Sequence, residues 1–302
     1  MKPITKLLPA IGLFLLALKA SGQGCSDAGL CTLNSFKPNP ADSTSYTSQL
    51  KSGLSYGIAD HGITVIGAYL EYNRYLNDKI SLDAKIAMLA QSNNSISVAG
   101  LSDLYLSANY NINRTVTVTL GAKIPFTDGN KIKDDRPLPM DFQASLGTFD
   151  LIAGIGFSLK GVQVVAAFQQ PLTQNKNQFI AGDYPPDAEL RKFQTTNKFI
   201  RSGDVLLRLS YPFSLGQKFR FTPSLLPIYH LTNDKFTAMD GVEKAIAGSQ
   251  GLTLNANAYC DLQLDHNNSL QLNIGAPLVV REARPDGLTR YFLVSVEYRL
   301  KF

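Results

Sequence analysis

From residue 48 onward the chain alternates apolar and polar residues in stretches of about ten, the length of a strand crossing a membrane as part of a barrel. The clearest stretch runs from Ile80 to Gln91. Ile80, Leu82, Ala84, Ile86, Met88 and Ala90 share one face, and Ser81, Asp83, Lys85 and Gln91 the other. Successive strand side chains point to opposite sides, so one face can meet hydrocarbon and the other water; a helix would mix the two sets. Residues 104–112 and 116–124 repeat the pattern around Asn113, which predicts a tight hairpin. Similar stretches at 149–159, 162–168, 205–211, 219–231, 252–264, 270–276 and 292–302, with less regular ones at 50–58 and 63–72, bring the total to about twelve.

Connection lengths support the same reading. After every second strand the link is short: 77–78, 113–114, 160–161, 214–217 and 265–268. The intervening links are mostly long, at 92–100, 127–139, 171–200, 232–251 and 280–289, with only 60–62 brief. Short turns at one end and long loops at the other are the habit of outer-membrane barrels, and an even strand number predicts both chain termini on the periplasmic side. The fold class predicted is therefore all-β, a transmembrane antiparallel β-barrel over residues 49–302. A secreted β-sandwich also alternates, because one face of each strand packs in a core. Its strands would be shorter, and the long loops would lack a reason.

The final stretch presents Phe292, Val294, Val296, Tyr298, Leu300 and Phe302 on one face. It resembles the C-terminal signature of barrels inserted by the barrel-assembly machinery, which with outer-membrane lipid is an expected partner through Phe302. The chain has no Trp for interfacial girdles; Tyr56, Tyr72, Tyr110, Tyr211, Tyr229 and Tyr298 are the substitutes.

At the other end, Lys2 and Lys6 precede an apolar run over 7–18 and then Ala20, Ser21 and Gly22, the layout of a secretory signal peptide over 1–22. The run is too short to span a bilayer as a helix. Cleavage after Gly22 would leave Gln23 first. Lipid attachment at Cys25 is the competing reading, opposed by Gly22 where an acylation signal wants Leu. Export implies an oxidising compartment, in which Cys25 and Cys31 form a small disulfide loop; as a metal site the pair lacks further ligands. Cys260 falls on an apolar face as a small hydrophobe. Residues 23–48, rich in Ser, Thr, Asn, Asp and Pro, lack a strand pattern and form either a flexible lead or a small plug.

Composition narrows the function. A net charge of +5 with no basic block removes the electrostatic case for nucleic-acid binding. The only histidines are His61, His230 and His266, and no nucleophile elbow, metal-ligand cluster or phosphate-binding glycine loop accompanies them, so no cofactor is expected. An outer-membrane hydrolase is the enzymatic alternative. A barrel interior instead draws attention to Asp83, Lys85, Asp103, Lys123, Asp204, Arg208, Arg220, Asp261, Glu297 and Arg299, which fall on the polar face and are the candidate lumen-lining residues. Mixed signs argue for a weakly selective path or for charges paired with one another. Symmetric pairing about Asn113 predicts Asp103 opposite Lys123 as a lumen-facing ion pair near the external rim, and the turn at 265–268 predicts Asp261 beside Asn273 and Cys260 beside Ile274.

Three phrases, GLSDLYLSANY at 100–110, GAKIPF at 121–126 and LPMDFQASLGTFD at 138–150, resemble outer-membrane channels grouped under the phenol-degradation MetA pathway, themselves distantly similar to long-chain fatty-acid transporters. The resemblance implies passive or facilitated uptake of a small-molecule solute, apolar or aromatic ones included. The rival is a non-transporting surface barrel that binds a partner through 171–200, where Tyr184, Pro185 and Pro186 lie.

Overall fold

The computed structural model describes residues 33–38, 47–159, 161–287 and 290–302. The signal peptide and the Cys25–Cys31 disulfide lie outside these residues. Twelve strands form the wall: β1 (Ser48–Ile58), β2 (Thr64–Tyr75), β3 (Ile80–Ser92), β4 (Ser97–Asn111), β5 (Val116–Pro125), β6 (Asp150–Leu159), β7 (Val162–Pro171), β8 (Asp204–Ser210), β9 (Phe219–His230), β10 (Gly251–Gln263), β11 (Asn268–Val279) and β12 (Phe292–Lys301). Each pairs antiparallel with the next, and β12 returns to β1 with Gln49 opposite Lys301 and Ile58 opposite Phe292, closing the ring. A short segment, Phe213–Leu215, pairs with the start of β9 outside the ring. At the seam, Phe302 exchanges backbone hydrogen bonds of 2.8 and 2.9 Å with Ser48. Closure leaves the wall without a free edge, so its backbone groups can pair strand to strand without water.

The two faces separate as the alternation predicts. Leu54, Ile66, Leu70, Met88, Leu120 and Val296 stand exposed on the outside, while Lys51, Glu71, Asp83, Lys123, Asn255 and Glu297 are buried inside. A soluble protein rarely leaves so continuous an apolar belt in water; hydrocarbon is the medium that suits it. All six tyrosines named above face outward. By register, Tyr72, Tyr110, Tyr211 and Tyr298 lie toward the short-turn end, and Tyr56 and Tyr229 toward the long-loop end.

Three short turns share one device. Leu76, Ile112 and Leu264 each donate a backbone hydrogen bond to the residue four positions on, across Asn77–Lys79, Asn113–Thr115 and Asp265–Asn267. The first loop residue's side-chain oxygen accepts from the backbone N–H groups two and three residues later: Asn77 from Lys79 and Ile80, Asn113 from Thr115 and Val116, Asp265 from Asn267 and Asn268. Asn and Asp close turns in this way. The three-residue loop corrects the predicted register by two positions. Asp103 opposes Pro125, Lys123 opposes Tyr105, Asp261 opposes Gln271 and Cys260 opposes Leu272. Faces are preserved, because a shift of two residues leaves side-chain direction unchanged.

The connection between β3 and β4 is also shorter than the predicted 92–100. β4 begins at Ser97, because its pairing with β3 slips by one residue between Ile86–Leu104 and Met88–Leu101. The bulge turns both Ser102 and Asp103 inward, which breaks the alternation at the point where it would have revealed the strand's first third.

At the long-loop end the connections fold inward as a cap. Ile96, Leu138, Phe142, Phe179, Tyr184 and Phe193 form one apolar cluster on the inward-facing Val65 and Leu89. Asn177 ties two loops together: its amide donates at 2.9 Å to both Gly129 and Leu138 carbonyls, while its oxygen accepts from Thr196 at 2.8 Å. Asp60 receives both forks of Arg284 at 2.8 Å, fastening the last loop to the β1–β2 turn.

Candidate functional site: an occupied lumen

The described part of the N-terminal segment lies inside the ring. Leu33 and Phe36 are buried with Tyr105, Ile152, Val165, Leu206 and Leu226, all from the inner wall. Asn34 accepts a hydrogen bond from Lys51, which also pairs with Glu71 at 2.9 Å. Lys37 pairs with Glu297 at 3.2 Å and sits 5.1 Å from the centre of the Tyr69 ring. Tyr69 itself donates to Glu297. Gly53 makes that reach possible: a Cβ there would stand 2.2 Å from the tyrosine ring.

Of the ten candidates, Asp83, Lys85, Asp103, Lys123, Asp204, Arg208, Asp261, Glu297 and Arg299 are buried, and Arg220 is half-buried near the short-turn end. The structure gathers Asp261, Glu297 and Arg299 into one group, with Arg299 donating to Asp261 at 2.9 Å and to Glu297. Gln271 adds a 2.8 Å bond to Asp261. Asp83 accepts from Asn73, from Ser107 at 3.0 Å and from Asn109 at 2.7 Å. Lys85 lies 4.1 Å from the centre of the Tyr69 ring.

The predicted Asp103–Lys123 ion pair is replaced by others. Lys123 bonds Asp150 at 2.9 Å and Thr148 at 2.9 Å, whereas Asp103 takes hydroxyl donors from Ser145 at 2.6 Å, Ser102 at 3.0 Å and Tyr105 at 3.2 Å. The two-residue register correction takes Lys123 out of line with Asp103, and on its other side Asp150 at the start of β6 is its direct neighbour across strands. Sequence reading did not single out Lys51, Glu71 or Asp150, although all three obey the inward phase of their strands. Lys37 had no period to reveal it.

A second buried network sits where the lumen meets the cap. His230 Nδ1 bonds Asp204 at 2.7 Å and its Nε2 bonds Asp234 at 2.7 Å; Arg201 pairs with Asp204, and Arg281 with Asp286 at 2.9 Å. Both ring nitrogens of His230 are thus held by carboxylates, which leaves neither to activate a hydroxyl. Burial alone would raise the Asp286 carboxyl, but Arg281 and Arg201 outweigh it and hold the group below the usual carboxylate range. Asp141 has the opposite balance. Burial, with Asp60 and Asp286 nearby, pushes its carboxyl up to about 7 despite its own backbone N–H and Arg290.

Three cavities surround the N-terminal segment. One of about 70 Å³ lies mid-lumen, another of about 80 Å³ opens beside Lys51, Arg220 and Lys301, and a third of about 150 Å³ beside Asn73, Asn109 and Arg114. Lys37 lines all three. Its side chain and the backbone around it therefore partition the interior.

These features define a closed twelve-strand barrel, apolar outside and polar within, with a segment of its own chain lodged inside. No protein-family model matches the chain, and no curated protein matches it in sequence. Among solved structures, the CymD monoaromatic hydrocarbon channel aligns with a TM-score of 0.46 at 8% identity, covering 94% of this chain and 98% of that one. The NanC porin aligns with a TM-score of 0.44 at 9% identity, covering 84% and 98%. The translocator domain of the autotransporter NalP from Neisseria meningitidis aligns at 0.43 and 10%, covering 86% and 90%. The names of the three describe different tasks, and likeness of this degree decides nothing about cargo.

Proposed function

We propose that the chain is an outer-membrane channel for passive or facilitated passage of small molecules, with its N-terminal segment acting as an internal plug. The observation that carries this reading is the partition at Lys37. One side chain, held by one ion pair to Glu297, stands between a mid-lumen cavity and two cavities that lead toward the short-turn end. Twelve strands enclose more than the eight-strand barrels that their own side chains fill, and less than the open porins. A filled but hydrated interior suits that intermediate size. Exposed outer apolar residues, buried inner polar ones and paired charges along the wall all support insertion in lipid with a water-compatible path.

An apolar or aromatic solute is the finer reading. It draws support from the sequence resemblance to MetA-pathway channels and from Tyr69, Tyr105 and Tyr259 around the mid-lumen. Recording single-channel currents in planar bilayers tests the proposal. Reproducible openings that become larger or longer when residues 33–38 are deleted are expected. Correctly inserted barrels that stay silent with and without that segment would favour a non-transporting surface protein.

A further inference from the structure

Arg208 is the least explained charge among the described residues. It is 1% exposed, yet its Nε and Nη1 make no hydrogen bond among the described residues. A guanidinium cannot shed its proton, and a buried charge without a partner is costly. It borders the mid-lumen cavity of about 70 Å³, and among the described lining residues it alone comes from strands β5–β9. Its side chain therefore reaches across toward the opposite wall.

The rest of that cavity is complementary to an anion. The charged residues lining it are Lys37, Lys85, Arg208 and a single acid, Glu297. That acid is already engaged by Lys37, Tyr69 and Arg299. Asn257 also borders the cavity, buried, with both its amide nitrogen and its oxygen unpartnered in the described structure. Leu89, Leu293 and Tyr259 supply an apolar wall.

We propose that Arg208, with the Asn257 amide and the nearby Lys85, forms a mid-lumen binding site for a small organic carboxylate. The planar fork of Arg208 matches a carboxylate's two oxygens, Asn257 Nδ2 supplies a further donor, and the apolar wall takes the remainder of the molecule. The site would rank solutes by charge and body together, which mixed lumen charges alone would not do. This deepens the channel reading, and rests on it for the consequence that such an anion crosses the barrel.

Calorimetric titration of the full chain in detergent tests the site, with acetate, small enough for a cavity of about 70 Å³, as the probe and acetamide as its neutral counterpart. Acetate should bind at least about tenfold more tightly than acetamide, the difference expected for hydrogen bonds to charged groups. Arg208→Gln should weaken acetate by about tenfold to a hundredfold and leave acetamide unchanged. Should that variant fail to assemble, as judged by heat-modifiable migration, Asn257→Leu should weaken acetate in the same sense. Equal binding of the two probes, or acetate binding indifferent to both substitutions, would overturn the proposal. So would displacement of acetate by an equal concentration of chloride, which would mark a site for any anion. A barrel silent in bilayers that still binds acetate would remove the channel reading and keep the site; a conducting barrel blind to acetate would do the reverse.

Discussion

Phe36 is fitted against Gly154: a Cβ at position 154 would stand 2.5 Å from the edge of the phenylalanine ring. The glycine in β6 thus makes the recess that anchors the N-terminal segment. Replacing Gly154 with Val should expel Phe36 and leave the barrel able to close, since the new side chain only fills the vacated space. Phe36→Ala should act in the same direction, because truncating a buried phenylalanine costs about 3–5 kcal/mol. Both variants should conduct more than the parent in planar bilayers. Unchanged currents in both would show that the segment does not obstruct the path.

Lys37→Met tests the partition itself. Glu297 would keep Arg299 and Tyr69 as partners, so the wall should hold. Without its ion pair the segment should dock less firmly, and openings should lengthen, most visibly at high salt in the parent and least in the variant. Identical salt dependence in the two chains would contradict the assignment.

Lys123 and Asp150 are both fully buried and pair at 2.9 Å. Breaking such a pair from one side leaves a buried charge alone, at a cost of about 3–5 kcal/mol. Asp150→Asn should lower the thermal midpoint of heat-modifiable migration clearly. The double replacement Lys123→Met with Asp150→Leu should recover most of the loss. A double variant as weak as the single one would mean that the pair's neighbours, Thr148 and Gln169, carry the stability instead.

The cap should respond to pH through Asp141. Its carboxyl is raised in the folded protein to about 7 from an ordinary 3.8, so the folded state holds the proton more tightly than the unfolded chain does. Stability from this group is therefore fully present at low pH and is lost as pH climbs through 7. Gly287, at φ 64° and packed where a Cβ would lie 2.5 Å from the Asp141 Cα, holds the last loop against it. Asp141→Asn should remove the effect: its thermal midpoint should draw ahead of the parent's between pH 4 and 7. A gap that stays constant over that range would rule the group out.

Much of the wall was legible because a strand with lipid on one side and water on the other leaves a two-residue period. That signal located twelve strands and put Asp83, Lys85, Glu297 and Arg299 on the inner face. It failed where the backbone departs from the period. The bulge at Ser102 and Asp103 hid the start of β4, and three-residue Asx-closed turns, where two residues were expected at Asn113 and four at Asp265, moved the partners of Lys123 and Asp261 by two positions. Lys37 and Phe36 were invisible for a different reason. They act from an irregular segment whose place is set by recesses such as Gly154, and a glycine in a strand does not announce what it accommodates. The rim network of Arg201, Asp234, Arg281 and Asp286 likewise joins loops far apart in sequence, and only the closed ring brings them together.

Small solutes should pass through this barrel around its own N-terminal segment. Swelling of liposomes containing the mature chain, compared for a sugar, an amino acid and benzoate, measures that passage directly. Slow swelling is expected with the parent protein, accelerated for every solute once residues 33–38 are deleted. Liposomes with verified inserted barrel that remain impermeable to all three, before and after the deletion, would contradict it.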